Sequence, residues 1–143
     1  MRVAVKSRSD FRYFQLITTR WMDNDVYGHV NNVVYYSWFD TVVNQYLITN
    51  KALDIHTGTT IGLVVETQCV YFNSISFPDV ITVGLAVGHI GNSSVRYELA
   101  IFKNDDQQPA AQGYFVHVYV DRNTRRPAPL PETLRELLHQ ALL

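Results

Sequence analysis

Apolar residues concentrate in five strand-like stretches and in one longer stretch with helical spacing. Residues 13–20 are rich in β-branched and aromatic side chains and predict a first strand. After a polar segment that contains Gly28, the chain from Asn31 or Asn32 to about residue 50 predicts a long helix. Four more stretches, 63–72, 80–90, 95–103 and 110–120, predict strands, and turn-forming residues separate the last three.

The predicted helix carries only one narrow polar stripe. Its other positions are apolar or aromatic, so we expect other structure to wrap around it. Short connections between the last three strands predict antiparallel hairpins. The simplest fold is therefore α+β, with a five-stranded antiparallel sheet curling around the long central helix. The stripe consists of Ser37, Asp40, Thr41, Asn44 and Gln45.

The length and composition of the chain predict one domain over residues 1–143, with 47% hydrophobic residues to form its core. We place the core at about 13–121, followed by a tail with a short helix at 132–143. One sheet cannot cover a helix on every side and leaves its own edges unpaired. Dimerisation through a sheet edge would relieve both problems.

The charge balance and the single cysteine narrow the class of protein. Lys and Arg number 12 against 13 Asp and Glu, which gives no reason to expect nucleic acid or a membrane surface as a partner. Cys69 has no other cysteine to pair with, so an intracellular setting fits best. Without a stretch typical of a signal peptide or a membrane span, the expected location is cytoplasmic.

Several familiar catalytic patterns do not occur in the sequence. It has no His/Cys cluster with zinc spacing, no Gly-rich phosphate loop and no Gly-x-Ser-x-Gly elbow. These absences disfavour a zinc site, a nucleotide-phosphate loop and a serine nucleophile.

The segment before the predicted helix has the composition of an acyl-transfer site. Asp25 lies just before the Gly28 turn, and the helix start offers unpaired N–H groups at the positive end of a dipole. A carboxylate beside such donors supplies a base or nucleophile together with an oxyanion hole. Asp25 could also be only a turn-forming residue.

The run Asp25-Val-Tyr-Gly-His-Val-Asn-Asn32, leading into an aromatic helix, resembles the hotdog-fold thioesterases. More narrowly, it resembles the 4-hydroxybenzoyl-CoA thioesterase group and its bacterial acyl-CoA thioesterase relatives. Residues 71–80 and 91–94 extend the resemblance more weakly. It implies hydrolysis of acyl-CoA without a cofactor, in a homodimer or homotetramer with sites at the protomer interface. Asp25 would be the nucleophile or general base, and a backbone N–H at about Asn32 would polarise the carbonyl.

Neighbours of Asp25 are further candidates for the site. His29 could orient Asp25 or polarise the substrate, or it could make only a structural hydrogen bond. Asn31 and Asn32 are potential helix caps, and Gly28 would serve the turn through a positive φ or a close approach of substrate. Asp23 and Asp40 are interpreted as structural acids. An aromatic pocket could include Tyr27, Tyr35 and Trp38.

More distant residues could contact the substrate. Glu66 interrupts an apolar strand and could face the cleft or the solvent. Ser93, Ser94 and Arg96 follow a glycine turn where relatives contact CoA, although a turn of this composition also forms for conformational reasons. Arg96 is the best candidate for a phosphate partner. Arg122, Arg125 and Arg126 are interpreted as a solvated basic tail, with contact to the CoA phosphates as the alternative.

Three functions stay open at this point. Hydrolysis of acyl-CoA leads, and hydrolysis of acyl-carrier-protein thioesters would use the same pantetheine tunnel. A non-catalytic acyl-CoA-binding protein is the third. A hotdog dehydratase is disfavoured because its acid and His belong to a different motif, and the identity of the acyl chain cannot be inferred.

Overall fold

A computed structural model describes residues 4–143 and contains the predicted strands and both helices. The strands are β1 (Tyr13–Thr18), β2 (Thr60–Tyr71), β3 (Val80–Ile90), β4 (Ser94–Lys103) and β5 (Ala111–Asp121). The helices are α1 (Asn32–Thr49) and α2 (Glu132–Gln140), and short 3₁₀ turns occupy Arg8–Asp10 and Trp21–Asp23. The α+β prediction of five antiparallel strands with a long helix is confirmed.

The five strands form one antiparallel sheet in the order β1-β3-β4-β5-β2. The predicted hairpins β3–β4 and β4–β5 form its centre, and β1 and β2 are its two edges. The register brings Thr18, Val80 and Tyr71 to the same end of the sheet, which we call the Tyr71 end. The β3–β4 turn lies at the opposite end.

Helix α1 packs along one face of the sheet, which we call the inner face. Phe39, Val42 and Val43 are fully buried there against Val83 and Leu85 of β3. Burying each large apolar side chain contributes about 1.5–3 kcal/mol, so this contact dominates the stability of the fold. Most of the predicted polar stripe is open to solvent: Ser37, Asp40, Thr41 and Gln45 are exposed, and Asn44 is half-buried.

Segments at both ends of the described chain cover other parts of the sheet. Phe11 packs on Phe102 of the outer face, with 5.9 Å between ring centroids. Helix α2 joins the main core through Leu134, Leu137 and Leu138. No helix within residues 4–143 is long and apolar enough to cross a membrane.

One histidine lies inside this core. His117 of β5 is 5% exposed, and its aromatic neighbours are Tyr97, Phe115 and Tyr119. The ring Nε2 is buried without a hydrogen-bond partner in the described part of the chain, whereas the Tyr97 and Tyr119 hydroxyls bond to each other at 2.7 Å. Burial lowers the pKa of His117 from 6.5 to about 4, so its ring is neutral at neutral pH.

Because of this residue, the free energy of unfolding is expected to decrease as the pH is lowered. The unfolded chain protonates His117 near pH 6.5 and the folded chain only near pH 4, so the unfolded state binds more protons between these values. When the pH is lowered from 7 to 5, the wild type should therefore lose roughly 2 kcal/mol more of its free energy of unfolding than the His117→Phe variant loses. Urea unfolding at both pH values measures this difference, and equal losses in the two proteins would contradict it.

Candidate functional site

The loop between β1 and α1 is clamped to the segment that precedes β3. The Val30 N–H donates to the Ile75 carbonyl at 2.7 Å, and the Ser76 hydroxyl donates to the Gly28 carbonyl at 2.9 Å. Within the loop, the Asn31 N–H donates to the Asp23 carbonyl at 2.9 Å. These bonds fix the loop at the Tyr71 end of the sheet.

Asp23 is a structural acid, as interpreted from the sequence. Its side chain is 1% exposed and accepts hydrogen bonds from the Arg20 backbone N–H and guanidinium at 2.8–3.1 Å. A carboxylate with these partners is already neutralised and fully bonded. Asp23 therefore holds the 3₁₀ turn and does not line the cleft described below.

Gly28 has φ +86°, which confirms the predicted positive φ. A Cβ placed there would meet no heavy atom within 4 Å, so the backbone conformation and not the surrounding space requires glycine. The turn returns the chain so that the Asp25 N–H donates to the His29 carbonyl at 2.9 Å.

The Asp25 carboxylate keeps one oxygen free. Its Oδ1 accepts the Tyr27 N–H at 2.8 Å and lies 3.8 Å from His29 Nδ1. Its Oδ2 has no hydrogen-bond partner among residues 4–143, and the side chain is 24% exposed. The carboxylate is thus held from one side and open on the other.

Helix α1 begins beside this carboxylate. The N-cap is Asn31, whose Oδ1 accepts the Val33 N–H at 3.0 Å. Asn32 is the first helical residue, and its N–H meets no acceptor in the described part of the chain. The positive end of the helix dipole and an unpaired donor therefore meet at Asn32.

Asp25, His29 and Asn32 line one cleft of about 410 Å³. The Tyr71 hydroxyl donates to the Asn32 carbonyl at 3.3 Å and ties the end of β2 to the start of α1. The other lining residues are Val30, Tyr35, Tyr71, Phe72, Asn73 and Ser74.

The tyrosine hydroxyls that line the cleft and the cysteine thiol near it are neutral at neutral pH. Burial raises the pKa of Tyr35 to about 12 and that of the nearby Cys69 thiol to about 11, and it also raises the pKa of Tyr71. These groups can donate or accept hydrogen bonds, but they are poor nucleophiles at neutral pH. The other ionisable groups that line the cleft are Asp25 and His29.

Two of the three aromatic residues expected in the pocket lie elsewhere. Tyr35 lines the cleft, but Tyr27 is 82% exposed and stacks on His29 at 6.5 Å between centroids. Trp38 does not line the cleft; it packs on Tyr35 at 5.2 Å between ring centroids and faces the β1 edge.

Glu66 and Arg96 point to the outer face of the sheet, away from the cleft. Glu66 accepts the Tyr114 hydroxyl at 2.6 Å, and the Arg96 guanidinium lies 3.8 Å from the centroid of the same ring. Arg96 Nε also donates to Glu98 at 2.7 Å. Within one chain, these two candidates do not join Asp25.

Ser93 and Ser94 lie at the far end of the sheet. The Ser93 carbonyl accepts the Tyr119 N–H at 2.7 Å, and the Ser94 carbonyl accepts the Gly91 N–H at 2.7 Å. Arg122, expected in a solvated tail, instead donates to the carbonyls of Ile55 and Gly58 and holds the loop after α1. The expectation was wrong for Arg122, while Arg125 and Arg126 are exposed.

Tyr71, Asn73 and Ser74 are cleft residues that the sequence reasoning did not select. Their signal was a tyrosine at the end of a predicted strand followed by two polar residues, which is also ordinary turn composition. Among residues 4–143, no three His, Cys, Asp or Glu side chains come together as a potential metal site.

A family model described as the thioesterase-like superfamily matches residues 19–138, which include the whole cleft. The chain belongs to this superfamily.

Three solved structures are similar to this protein over most of its length. The PA5185 protein of Pseudomonas aeruginosa is 50% identical, with 97% of each chain covered and a TM-score of 0.94.

The other two structures are more distant and share the fold. Slr0204, a 1,4-dihydroxy-2-naphthoyl-CoA thioesterase from Synechocystis, is 17% identical, with 89% of this chain and 95% of that chain covered and a TM-score of 0.82. SAV2348 from Staphylococcus aureus, solved in complex with CoA, is 17% identical, covers 100% of this chain and 90% of its own, and has a TM-score of 0.83.

The Gly28 turn provides a test of the loop geometry. Gly28→Ala should destabilise the fold by about 1 kcal/mol, since a Cβ at positive φ is strained even in open space. Gly28→Asn should lower the free energy of unfolding by less, because asparagine tolerates the left-handed region. Urea unfolding of both variants measures this order, and an alanine variant as stable as wild type would contradict the turn geometry.

Proposed function

We propose that the protein is an acyl-CoA thioesterase, which hydrolyses an acyl-CoA thioester to a free acid and CoA. The observation that carries the proposal is the juxtaposition of Asp25, with one unbonded carboxylate oxygen, and Asn32, with an unpaired N–H, in a single cleft. A base or nucleophile facing a preorganised donor is what acyl transfer requires.

The Asn32 N–H would bind the thioester carbonyl oxygen, and negative charge would develop there as the carbonyl carbon is attacked. The donor belongs to the first turn of α1, so the helix dipole adds to its effect. The Asn31 cap and the Tyr71 hydroxyl hold this turn in place. No reorganisation is then needed when the charge appears.

Asp25 Oδ2 would act in one of two ways. It would remove a proton from the water that attacks the carbonyl carbon, or it would attack that carbon itself and form an anhydride that water then hydrolyses. In both routes the carbon–sulfur bond breaks, and its electron pair leaves with the CoA sulfur. Tyr27 and His29 would keep Oδ1 occupied so that Oδ2 faces the substrate.

The choice of CoA thioesters is supported by superfamily membership. Among the neighbours, one is a thioesterase acting on 1,4-dihydroxy-2-naphthoyl-CoA and another was solved with CoA. Thioesters on an acyl-carrier protein present the same pantetheine group, so the thiol-release assay tests them as the second class of substrate. We further propose His29 as a residue that orients Asp25, and Tyr27, Gly28 and Asn31 as substrate contacts. Glu66, Ser93, Ser94 and Arg96 lie away from the cleft of their own chain, and we propose that they contact substrate bound in the cleft of the other protomer of a homodimer.

Asp25→Asn should lower kcat by roughly 10² to 10⁴-fold, because an amide is neither a base nor a nucleophile. Thiol release from short, medium, long and aromatic acyl-CoAs measures the loss. Asp105→Asn is the matched control, since Asp105 is an exposed acid in the β4–β5 turn. An Asp25→Asn variant with wild-type turnover would contradict the proposal, as would a folded wild type that binds acyl-CoA but cleaves neither CoA nor carrier-protein thioesters.

We also propose that the active form is a homodimer joined along β2. This strand is 12 residues long, only one of its edges is paired, and Val64 and Val65 are 48% and 59% exposed on it. A long apolar edge strand is a template for pairing with another chain. Two β2 strands pairing antiparallel would extend the sheet to ten strands, and two such dimers would give the homotetramer.

Val65→Lys should convert the dimer to a monomer and lower activity, because a lysine on an edge strand opposes strand pairing. The matched control is Leu16→Lys on β1, the other edge, where Leu16 is 67% exposed. Light scattering and thiol release measure both variants. An equal loss of assembly in the two variants, or a monomeric wild type, would contradict dimerisation through β2.

A further inference from the structure

A second cavity lies between α1 and β2, at the end of α1 away from Asp25. Its volume is about 130 Å³. Its walls are mostly apolar, and three polar side chains, Asp40, Asn44 and His117, interrupt them. A small apolar cavity with a few polar groups is typical of a binding site for part of a small molecule. The apolar walls include Leu47, Ile61 and Val64.

The His117 imidazole is the polar group in this cavity that lacks a partner. It is 5% exposed, and its Nε2 is buried without a hydrogen bond to any residue from 4 to 143. A neutral imidazole offers one donor and one acceptor, and leaving such groups buried and unpaired is costly. Natural proteins rarely retain such a residue without a water or ligand that completes its bonds.

The other two polar groups are partly committed. Asn44 Nδ2 donates to the Asp40 carbonyl at 2.9 Å and approaches Asp40 Oδ1 at 3.2 Å. Both residues belong to the polar stripe of α1. The deeper imidazole is therefore the group that a bound molecule would satisfy.

The proposed dimer places this cavity next to the candidate active site. Antiparallel pairing over the full length of β2 has its two-fold axis near Val65 and Glu66, the middle of the strand. Tyr71, which lines the Asp25 cleft, then lies opposite the partner's Thr60, beside the partner's Ile61 and Gly62. Adjacent strands are about 4.8 Å apart, so this pairing would bring the cleft of one protomer beside the cavity of the other.

We propose that His117 is a specificity-determining residue that binds a hydroxyl group carried by the acyl chain, several bonds away from the thioester carbonyl. This inference rests on the proposed thioesterase function and on pairing through β2. A hydroxyl can donate to one ring nitrogen or accept from the other, whereas a plain hydrocarbon leaves Nε2 unpaired. The preferred substrates are thus hydroxylated acyl thioesters.

The test compares acyl-CoAs that differ only in the hydroxyl. The pairs are 6-hydroxyhexanoyl-CoA with hexanoyl-CoA, and 4-hydroxyphenylacetyl-CoA with phenylacetyl-CoA. In at least one pair, wild type should favour the hydroxylated member by about two- to tenfold in kcat/KM, the value of one net hydrogen bond. His117→Phe should bring that ratio close to one, mainly by slowing the hydroxylated substrate. His117→Gln, which keeps a donor and an acceptor, should restore part of it.

His89→Phe is the matched control, because His89 is an exposed histidine of β3. It should leave the ratio unchanged. A wild type that hydrolyses both members of each pair equally overturns the inference and leaves the thioesterase proposal standing, as does an unchanged ratio in a folded His117→Phe variant.

Binding gives a readout that does not depend on turnover. Calorimetry of the Asp25→Asn variant with the same thioesters should show tighter binding of the hydroxylated member, and the additional His117→Phe change should remove the difference. If wild type hydrolyses nothing, the thioesterase proposal fails, and this comparison still decides the role of His117. Equal affinities or no binding would overturn that role.

Discussion

The fold depends on burying a helix that is apolar around most of its circumference. One face of α1 is satisfied by the sheet, where Phe39, Val42 and Val43 are fully buried. A single sheet leaves the remaining circumference to other elements, and the described chain covers it only in part. The strand next to the open side is β2, whose outer edge is unpaired and carries exposed valines. The demand for burial that fixes α1 on the sheet thus also favours association of two copies.

The helix, the strands and the Gly28 turn could be predicted from the sequence. Helical spacing marks α1 over 18 residues, and alternation and turn residues mark each strand. The Gly28 turn and the Asn31 cap were also predictable, because each rests on the chemistry of one residue at one backbone position. These features are local, so the sequence carries them directly.

Features that depend on the pairing of strands were not predictable in this way. Glu66 could face either side of its strand, because side-chain direction reverses at every residue and β2 contains an irregularity between Val64 and Glu66. The face of the sheet to which Arg96 points on β4 likewise depends on the strand register. Ser93 and Ser94 were candidates for the site, but only the sheet register reveals that they lie a full strand length from Asp25 within one chain.

The loop also separates two acids that look alike in the sequence. Asp23 is enclosed by Arg20, whereas Asp25, two residues later, keeps one oxygen free. Near neighbours in the chain can therefore differ widely in the hydrogen bonds that their side chains make. These surroundings depend on the local fold of the loop, and composition alone does not contain that information.

The clamp between Val30 and Ile75 has a consequence for dynamics. It joins two segments 45 positions apart, and it is made at the end of the sheet where Tyr71 terminates an edge strand. Edge strands fray more readily than the centre of a sheet. Local opening of the last residues of β2 would release Tyr71 from Asn32 and separate the two walls of the cleft while β3, β4 and β5 stay folded. In a single copy of the chain, the cleft thus depends on the end of an edge strand, and pairing of β2 with a second copy would hold that end in place; hydrogen exchange at the end of β2 would report the difference.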